Sequence, residues 1–169
     1  RLMSRGLGDV YKRQILNTDE EDVVCLFVGG CVRDLICNRE ILDVDFATSL
    51  TPDKIKRKLE ASNIEYDNSF ENYGSIKIRL NEKSFEVNTL RKDFDQDGRH
   101  SKVIFTQDWR QDALRRDFTI NAIYCDINGR IYDPFKGVDD LNNGIIRFIG
   151  DPIKRIQQDY LRALRYFRF

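Results

Sequence analysis

The feature that most restricts this chain is a short apolar run that stops at two glycines and is followed, one short helix later, by a strand that opens on acids. Val23–Val28 is β-branched and aromatic, the composition of a buried strand. Gly29-Gly30 ends it, Cys31–Cys37 suits a short helix, and Asp43–Thr48 reads as a second strand. The segment thus reads as strand, glycine turn, short helix and strand.

The second strand carries the chemistry. Residues two apart on a strand point to one side, so Asp43 and Asp45 share a face while Val44 and Phe46 bury the other. Two carboxylates about 6–7 Å apart along a strand can hold metal ions jointly. Mg²⁺ takes oxygen ligands, often one or two carboxylates plus substrate phosphates. Two ions roughly 3.5–4 Å apart clamp the attacking and leaving oxygens of a phosphoryl displacement. Taken alone, the same acids also fit a solvated edge.

The turn before that strand adds a partner for phosphate. Gly29 and Gly30 let backbone approach an anion closely, and the helix that follows offers unpaired N–H groups. Arg33 supplies a charge-assisted fork for phosphate oxygens. A strand-to-helix turn with surface charges is the plainer account of either glycine.

Further along, Thr51-Pro52 opens a helix to about Ser62, with Thr51 as cap. Ser75–Leu80 and Ser84–Leu90 alternate as strands, with Phe85 and Val87 on one face of the second and Glu86 and Asn88 on the other. Asp93–Ser101 is a polar loop, and Asp108 caps a helix to about Arg115. Ile120–Ile127 and Arg130–Tyr132 flank Asn128-Gly129, the strongest short hairpin signal. Asp133–Leu141 is a turn into a short helix. Asp151-Pro152 opens a last helix with an apolar stripe of Ile153, Ile156, Tyr160, Leu164 and Phe167, still running when the sequence stops at Phe169.

Gly29-Gly30-Cys31-Val32-Arg33-Asp34 followed by Asp43-Val44-Asp45 resembles the signature of the polymerase-β-like nucleotidyltransferase superfamily, in the branch of tRNA CCA-adding enzymes and bacterial poly(A) polymerases. The resemblance covers about Cys25–Phe169. It implies a polymerase-β-like α/β head, a small mixed sheet with flanking helices on one side, followed by the start of an all-helical neck. It implies Mg²⁺ on Asp43 and Asp45, and contact of Gly29, Gly30 and Arg33 with the incoming nucleotide. Arg115–Ala122 is similar to the second motif of the family, which assigns Arg116 to the nucleotide and Asp117 to its ribose.

Gln158-Asp159-Tyr160-Leu161-Arg162 is similar to a Glu-Asp-x-x-Arg pattern in which the Asp–Arg pair selects C and then A without a template. At i and i+3 these two side chains are helix neighbours. A carboxylate accepts and a guanidinium donates, so together they can read a base edge. By themselves they read more simply as an ion pair worth ~0.2–0.5 kcal/mol. Gln158 departs from the pattern and removes a charge beside the pair. The resemblance adds Arg165 and Arg168 around the nucleotide. Glu86 is a third acid, either ligand or base for an attacking hydroxyl, or a plain strand residue. In the resembled family, Asp97–His100 corresponds to a mobile loop, and His100 reads as an ordinary loop residue.

The implied activity is template-independent addition of CMP and AMP to a tRNA 3′ end from CTP and ATP. A poly(A) polymerase, or a CC-only or A-only adding enzyme, shares the same head. A nucleotide-binding module without chemistry is the alternative of another class. A formal charge of zero, from 28 basic and 28 acidic residues, leaves nucleic acid open, because a local basic patch suffices.

Composition excludes other classes. No apolar run approaches the ~20 residues that span a bilayer, and no secretory signal is visible, so a cytoplasmic protein without a membrane partner is expected. Four cysteines without a C-x-x-C pair, and one histidine, give no zinc pattern and read as free thiols. The chain divides into an unassigned segment 1–21 that reads as lying outside the fold, native or not, a head over 22–149, and the start of a helical neck over 150–169.

Overall fold

In the structure, a computed structural model, residues 25–80, 83–96 and 101–169 are described. Val23, Val24, the opening segment 1–21 and the loop residues Asp97, Gly98, Arg99 and His100 lie outside them. Strand β1 (Cys25–Val28) pairs antiparallel with β2 (Asp45–Thr48), and β2 runs parallel to β5 (Lys83–Thr89). Beyond β5 lie β4 (Ser75–Leu80) and β3 (Tyr66–Asp67); beyond β1 lie β8 (Tyr124–Cys125) and β9 (Ile131–Tyr132). Among the described residues the order is β3-β4-β5-β2-β1-β8-β9, a mixed seven-stranded sheet with β2 at its centre.

Alternation along the strands decides which side chains reach which face. Phe27, Phe46, Ile76, Ile78, Phe85 and Val87 pack on one side against helices α1 (Gly30–Ile36) and α2 (Pro52–Ala61). Helix α2 contributes Ile55 and Leu59, four residues apart and both fully buried. Burying each such side chain is worth about 1.5–3 kcal/mol. Thr51 stands at the start of α2, but its side chain makes no capping bond; Pro52 at the first position supplies the fixed φ instead. The other face gathers Val28, Ala47, Leu90 and Tyr124 with Ala113 of α3 (Trp109–Leu114). Helices therefore flank the sheet on both sides, where the resemblance implied one side, because α3 covers the face that carries Val28, Ala47 and Tyr124. Asp45 and Glu86, opposite in pleat to Phe46 and to Phe85 and Val87, belong to this second face. Asp108 caps α3 as expected, accepting from the backbone N–H groups of Arg110 and Gln111.

Four further expectations need correction. The second strand begins at Asp45, so Asp43 sits in the connection before it, although the Val44 carbonyl already accepts from the Glu86 N–H. Most of the expected polar loop is an antiparallel ribbon, β6 (Arg91–Gln96) with β7 (Ser101–Phe105). Backbone pairing rather than burial makes it, since the opposed residues Lys92 and Ile104 are both exposed. The expected strand from Ile120 opens as a 3₁₀ turn, Thr119–Asn121, because Thr119 and Asn121 turn inward to bond Asp140 and Asp117. The hairpin then forms from β8 and β9, two residues each, with Asp126 accepting from the Asn128 and Arg130 N–H groups across the turn.

The fourth correction matters most for the site. The last helix is two helices, α5 (Pro152–Gln158) and α6 (Leu161–Arg168), with Asp159 extended at the break, φ −157° and ψ 105°. A short side chain that bonds nearby backbone competes with helical continuation: Asp159 Oδ1 accepts from the Leu161 N–H at 3.0 Å. Ile153, Tyr160, Leu164 and Phe167 of the expected stripe are exposed. Instead α6 is anchored by rings. Phe118 packs on Phe148 (centroids 4.7 Å apart), Phe148 stacks on Tyr166 (5.8 Å) and Phe169 meets Phe118 edge-on (5.8 Å). Such pairs contribute about 0.5–1.5 kcal/mol each beyond their burial.

The expected short helix after Asp133 is present as α4 (Gly137–Asn142), whose first N–H groups are held by the Asp133 carboxylate. Gly137 lies so close to the 3₁₀ turn that a Cβ there would stand 2.2 Å from the Thr119 carbonyl oxygen. No helix among the described residues is long and apolar enough to cross a membrane.

Candidate active site

One cleft of about 590 Å³ opens where the Gly29-Gly30 turn, the start of β2, the end of α3 and the inner side of α6 converge. It is lined by Gly29, Gly30, Arg33, Asp43, Asp45, Arg116, Asp117, Asp159, Arg162, Arg165 and Arg168. Every candidate from the sequence therefore reaches it except Glu86. That residue lies beside the cleft, directly across from Asp45 in the parallel β2–β5 register. Its carboxylate accepts from the Ser75 hydroxyl at 2.6 Å.

The turn is shaped by backbone conformation. Gly29 adopts φ 77°, ψ −131°, a region only glycine enters without strain. Gly30 carries no such demand, and its place is set by proximity, since a Cβ there would stand 3.6 Å from Arg33 Nη2.

The acids create an uncompensated negative pole. Burial, the neighbouring Glu86 and Asp43 push the Asp45 carboxyl up from 3.8 to about 6, with Arg116 opposing. Among the described residues no group of three or more acidic, cysteine or histidine side chains forms a metal cage. What the cleft offers is two aspartates, with Asp45 already short of positive charge. That donor set suits a hard divalent cation that completes its shell with phosphate oxygens and water. Behind Asp45, the Cys31 thiol donates to the Val28 carbonyl at 3.3 Å, and burial raises its pKa.

The arginines form the opposite pole, each held by a defined partner. Arg33 forks onto Asp34 through Nε (2.9 Å) and Nη2 (3.0 Å) and donates through Nη1 to Asn121 at 2.8 Å. Asn121 passes the chain on to Asp117 Oδ1 at 3.1 Å, and Asp117 Oδ2 meets Arg165 at 2.7 Å. Arg116 bonds Tyr124 and Asp112, each at 3.2 Å. Arg33 and Arg168 both stand over the Phe169 ring, at 4.6 and 5.1 Å.

Asp159 and Arg162 line the cleft, but Asp159 stands at the break between α5 and α6 rather than inside one helix with Arg162, and their link is a backbone one, from the Arg162 N–H to the Asp159 carbonyl at 3.1 Å. Arg162 donates instead to the Arg155 carbonyl (3.0 Å) and to Gln158 Oε1 (3.1 Å), which also accepts from Arg155 (3.0 Å). One neutral oxygen thus serves two cations at the position where the sequence pattern has a glutamate.

Sequence reasoning missed Asp34, Asn121, Asp112 and Tyr124 as organisers of the site. Asp34 and Asn121 stood inside the quoted motifs, and the spacing of Asp112 four residues before Arg116 was a readable ion-pair signal. Tyr124 gave none, because its partners come from tertiary packing.

Residues 25–147 match the family of poly A polymerase head domains. The mitochondrial CCA tRNA nucleotidyltransferase 1 of Danio rerio is 49% identical over 142 residues, covering 83% of this chain and 33% of the relative. The CCA-adding enzyme of Staphylococcus epidermidis is 41% identical over 169 residues, covering 99% and 41%. Among solved structures, the CCA-adding enzyme of Bacillus stearothermophilus in complex with CTP superposes with a TM-score of 0.79 at 35% identity, over 92% of this chain and 36% of that one. A tRNA nucleotidyltransferase complexed with a primer tRNA and an incoming ATP analog gives 0.70 at 26% identity, over 96% and 43%. The chain spans about a third to two fifths of the length of these curated relatives. With that match, those identities and the mixed sheet they share, the chain belongs to the poly A polymerase head domain family, which here includes CCA-adding tRNA nucleotidyltransferases among its relatives.

Proposed function

We propose that this chain is the catalytic head of an enzyme that adds C and A to the 3′ end of tRNA without a template, using CTP and ATP. The observation that carries the proposal is the charge layout of one cleft: Asp43 and Asp45 on one side, with Arg33, Arg116, Arg162, Arg165 and Arg168 lining the same space. A nucleoside triphosphate with a divalent cation is the ligand that satisfies both poles. The relatives solved with CTP and with a primer tRNA and ATP analog support the choice. Residues 22–149 are taken as the head and 150–169 as the start of a helical neck.

In this reading Asp43 and Asp45 hold Mg²⁺, which when bound neutralises phosphate charge and lowers the pKa of an attacking hydroxyl. Gly29 and Gly30 keep the turn low enough for the triphosphate to lie against it. Arg33 and Arg116 pair with its oxygens as preorganised donors. Asp117 accepts from the ribose hydroxyls. Glu86, beside Asp45, takes up or shares the proton of the attacking 3′-hydroxyl. Arg165 and Arg168 line the outer wall. Asp159 and Arg162 read the base edge once Arg162 leaves Gln158 and the Arg155 carbonyl, a rotation within the reach of an arginine side chain.

A second reading, a poly(A) polymerase, draws on the description of the matched family itself. The product separates the two. A tRNA ending before its CCA is offered labelled CTP and ATP with Mg²⁺, to this chain alone and within a longer protein that carries it. Two C and one A support the proposal, and a long A tail supports the second reading. No incorporation by a folded protein refutes both and leaves a nucleotide-binding module.

A further inference from the structure

The side chain that fixes Arg116 does not itself line the cleft. Asp112 of α3 is 1% exposed. Its Oδ1 accepts from Arg115 Nε at 2.9 Å and from the Arg91 backbone N–H at 3.2 Å. Its Oδ2 accepts from the Tyr124 hydroxyl at 2.7 Å and from Arg116 Nη2 at 3.2 Å. Burial works against the charge of this carboxylate, and Arg116 and Arg115 more than offset it, holding Asp112 below the usual range. The Tyr124 hydroxyl in turn accepts from Arg116 Nε at 3.2 Å.

Arg116 is thereby held along one edge of its guanidinium, through Nε and Nη2. Its Nη1 has no hydrogen-bond partner among the described residues and lies at the glycine turn, where a Cβ on Gly29 would stand 3.6 Å from it. A guanidinium left to rotate loses conformational freedom when it grips a ligand, and one already fixed loses little.

We propose that Asp112 is a positioning residue for nucleotide binding: with the Tyr124 hydroxyl it locks Arg116 so that Nη1 meets the phosphates of an incoming nucleoside triphosphate at the Gly29-Gly30 turn. The proposal rests on the reading that Arg116 binds nucleotide. The carboxylate does this from outside the cleft, and the bond to Arg91 gives the root of the β6–β7 ribbon the same anchor.

The test is calorimetric titration of the 169-residue chain with CTP in Mg²⁺, arranged as two double-mutant cycles. Arg116→Ala binds about tenfold more weakly or worse, Asp112→Asn roughly fivefold more weakly, and Tyr124→Phe roughly two- to threefold. Added to Arg116→Ala, neither Asp112→Asn nor Tyr124→Phe weakens binding further by more than about twofold, because both act through the side chain already removed. Wild-type affinity in both single variants, or a loss of equal factor with and without Arg116, overturns the proposal. A role confined to folding lowers the melting temperature without that dependence on Arg116. Wild-type affinity in Arg116→Ala overturns the nucleotide role of Arg116 itself, a separate result. Should Asp112→Asn fail to fold, the Tyr124→Phe cycle decides, since it keeps every charge in place.

Discussion

Replacing Asp45 with asparagine should make the protein more stable while removing its proposed activity. Burial, Glu86 and Asp43 all penalise the ionised carboxylate and carry its pKa from 3.8 to about 6. That interval converts to about 3 kcal/mol at 1.36 kcal/mol per unit. The group is only half-buried, so solvent screening reduces the figure to about 1–2 kcal/mol. The sign follows from proton linkage: the folded protein holds this proton more tightly than the unfolded chain, so stability is greatest below about pH 4 and declines as pH rises to about 6. Asparagine removes the decline. In EDTA at pH 7.5, Asp45→Asn should melt about 2–8 °C above wild type. About half of the gain should remain at pH 5 and little at pH 4. Mg²⁺ should stabilise the wild type and leave the variant unmoved. A variant no more stable than wild type at pH 7.5, or a gain that ignores pH, refutes this account of the acidic pole.

Three further outcomes follow from the packing. Gly137→Ala forces a Cβ to within 2.2 Å of the Thr119 carbonyl; displacing α4 from the 3₁₀ turn should cost about 1–3 kcal/mol in urea unfolding. Gly29→Ala places a side chain at φ 77° and should cost about 1–3 kcal/mol, with CTP affinity falling alongside in the same titrations. Tyr166→Ala removes the ring stacked on Phe148, so amide hydrogen exchange should accelerate across residues 161–168 and remain slow in β1, β2 and β5.

The parts of the fold legible in the sequence were those where local pattern and burial agree. Phe85 and Val87 against Glu86 and Asn88 gave the face of β5 correctly, and Asp108 marked the start of α3, because alternation and capping are short-range properties. Thr119–Asn121 misled, since apolar neighbours suggested a strand while buried bonds to Asp140 and Asp117 impose a turn. The β6–β7 ribbon was hidden because its polar residues pair through backbone and bury little. The cleft was legible as a set of residues, its motifs lying close in sequence to the turns that aim them. Its internal wiring was not. The bonds from Arg33 to Asn121 and from Arg116 to Tyr124 depend on how α1 and α3 meet the turn after Asp117. Nor did the sequence reveal that Asp159 would break the last helix, because aspartate at a helix start and aspartate inside a helix look alike until its carboxylate finds the Leu161 N–H.

The most direct test of the central claim, that the two aspartates of this cleft carry nucleotidyl transfer, is the rate of CMP incorporation onto a tRNA lacking its CCA. It should be measured for wild type, for Asp43→Ala with Asp45→Ala, and for Asp139→Ala, an exposed acid outside the cleft. The account predicts a loss on the order of 10³-fold or more in the cleft variant, with folding retained and Asp139→Ala unchanged. Incorporation at the wild-type rate by the folded double variant would contradict it.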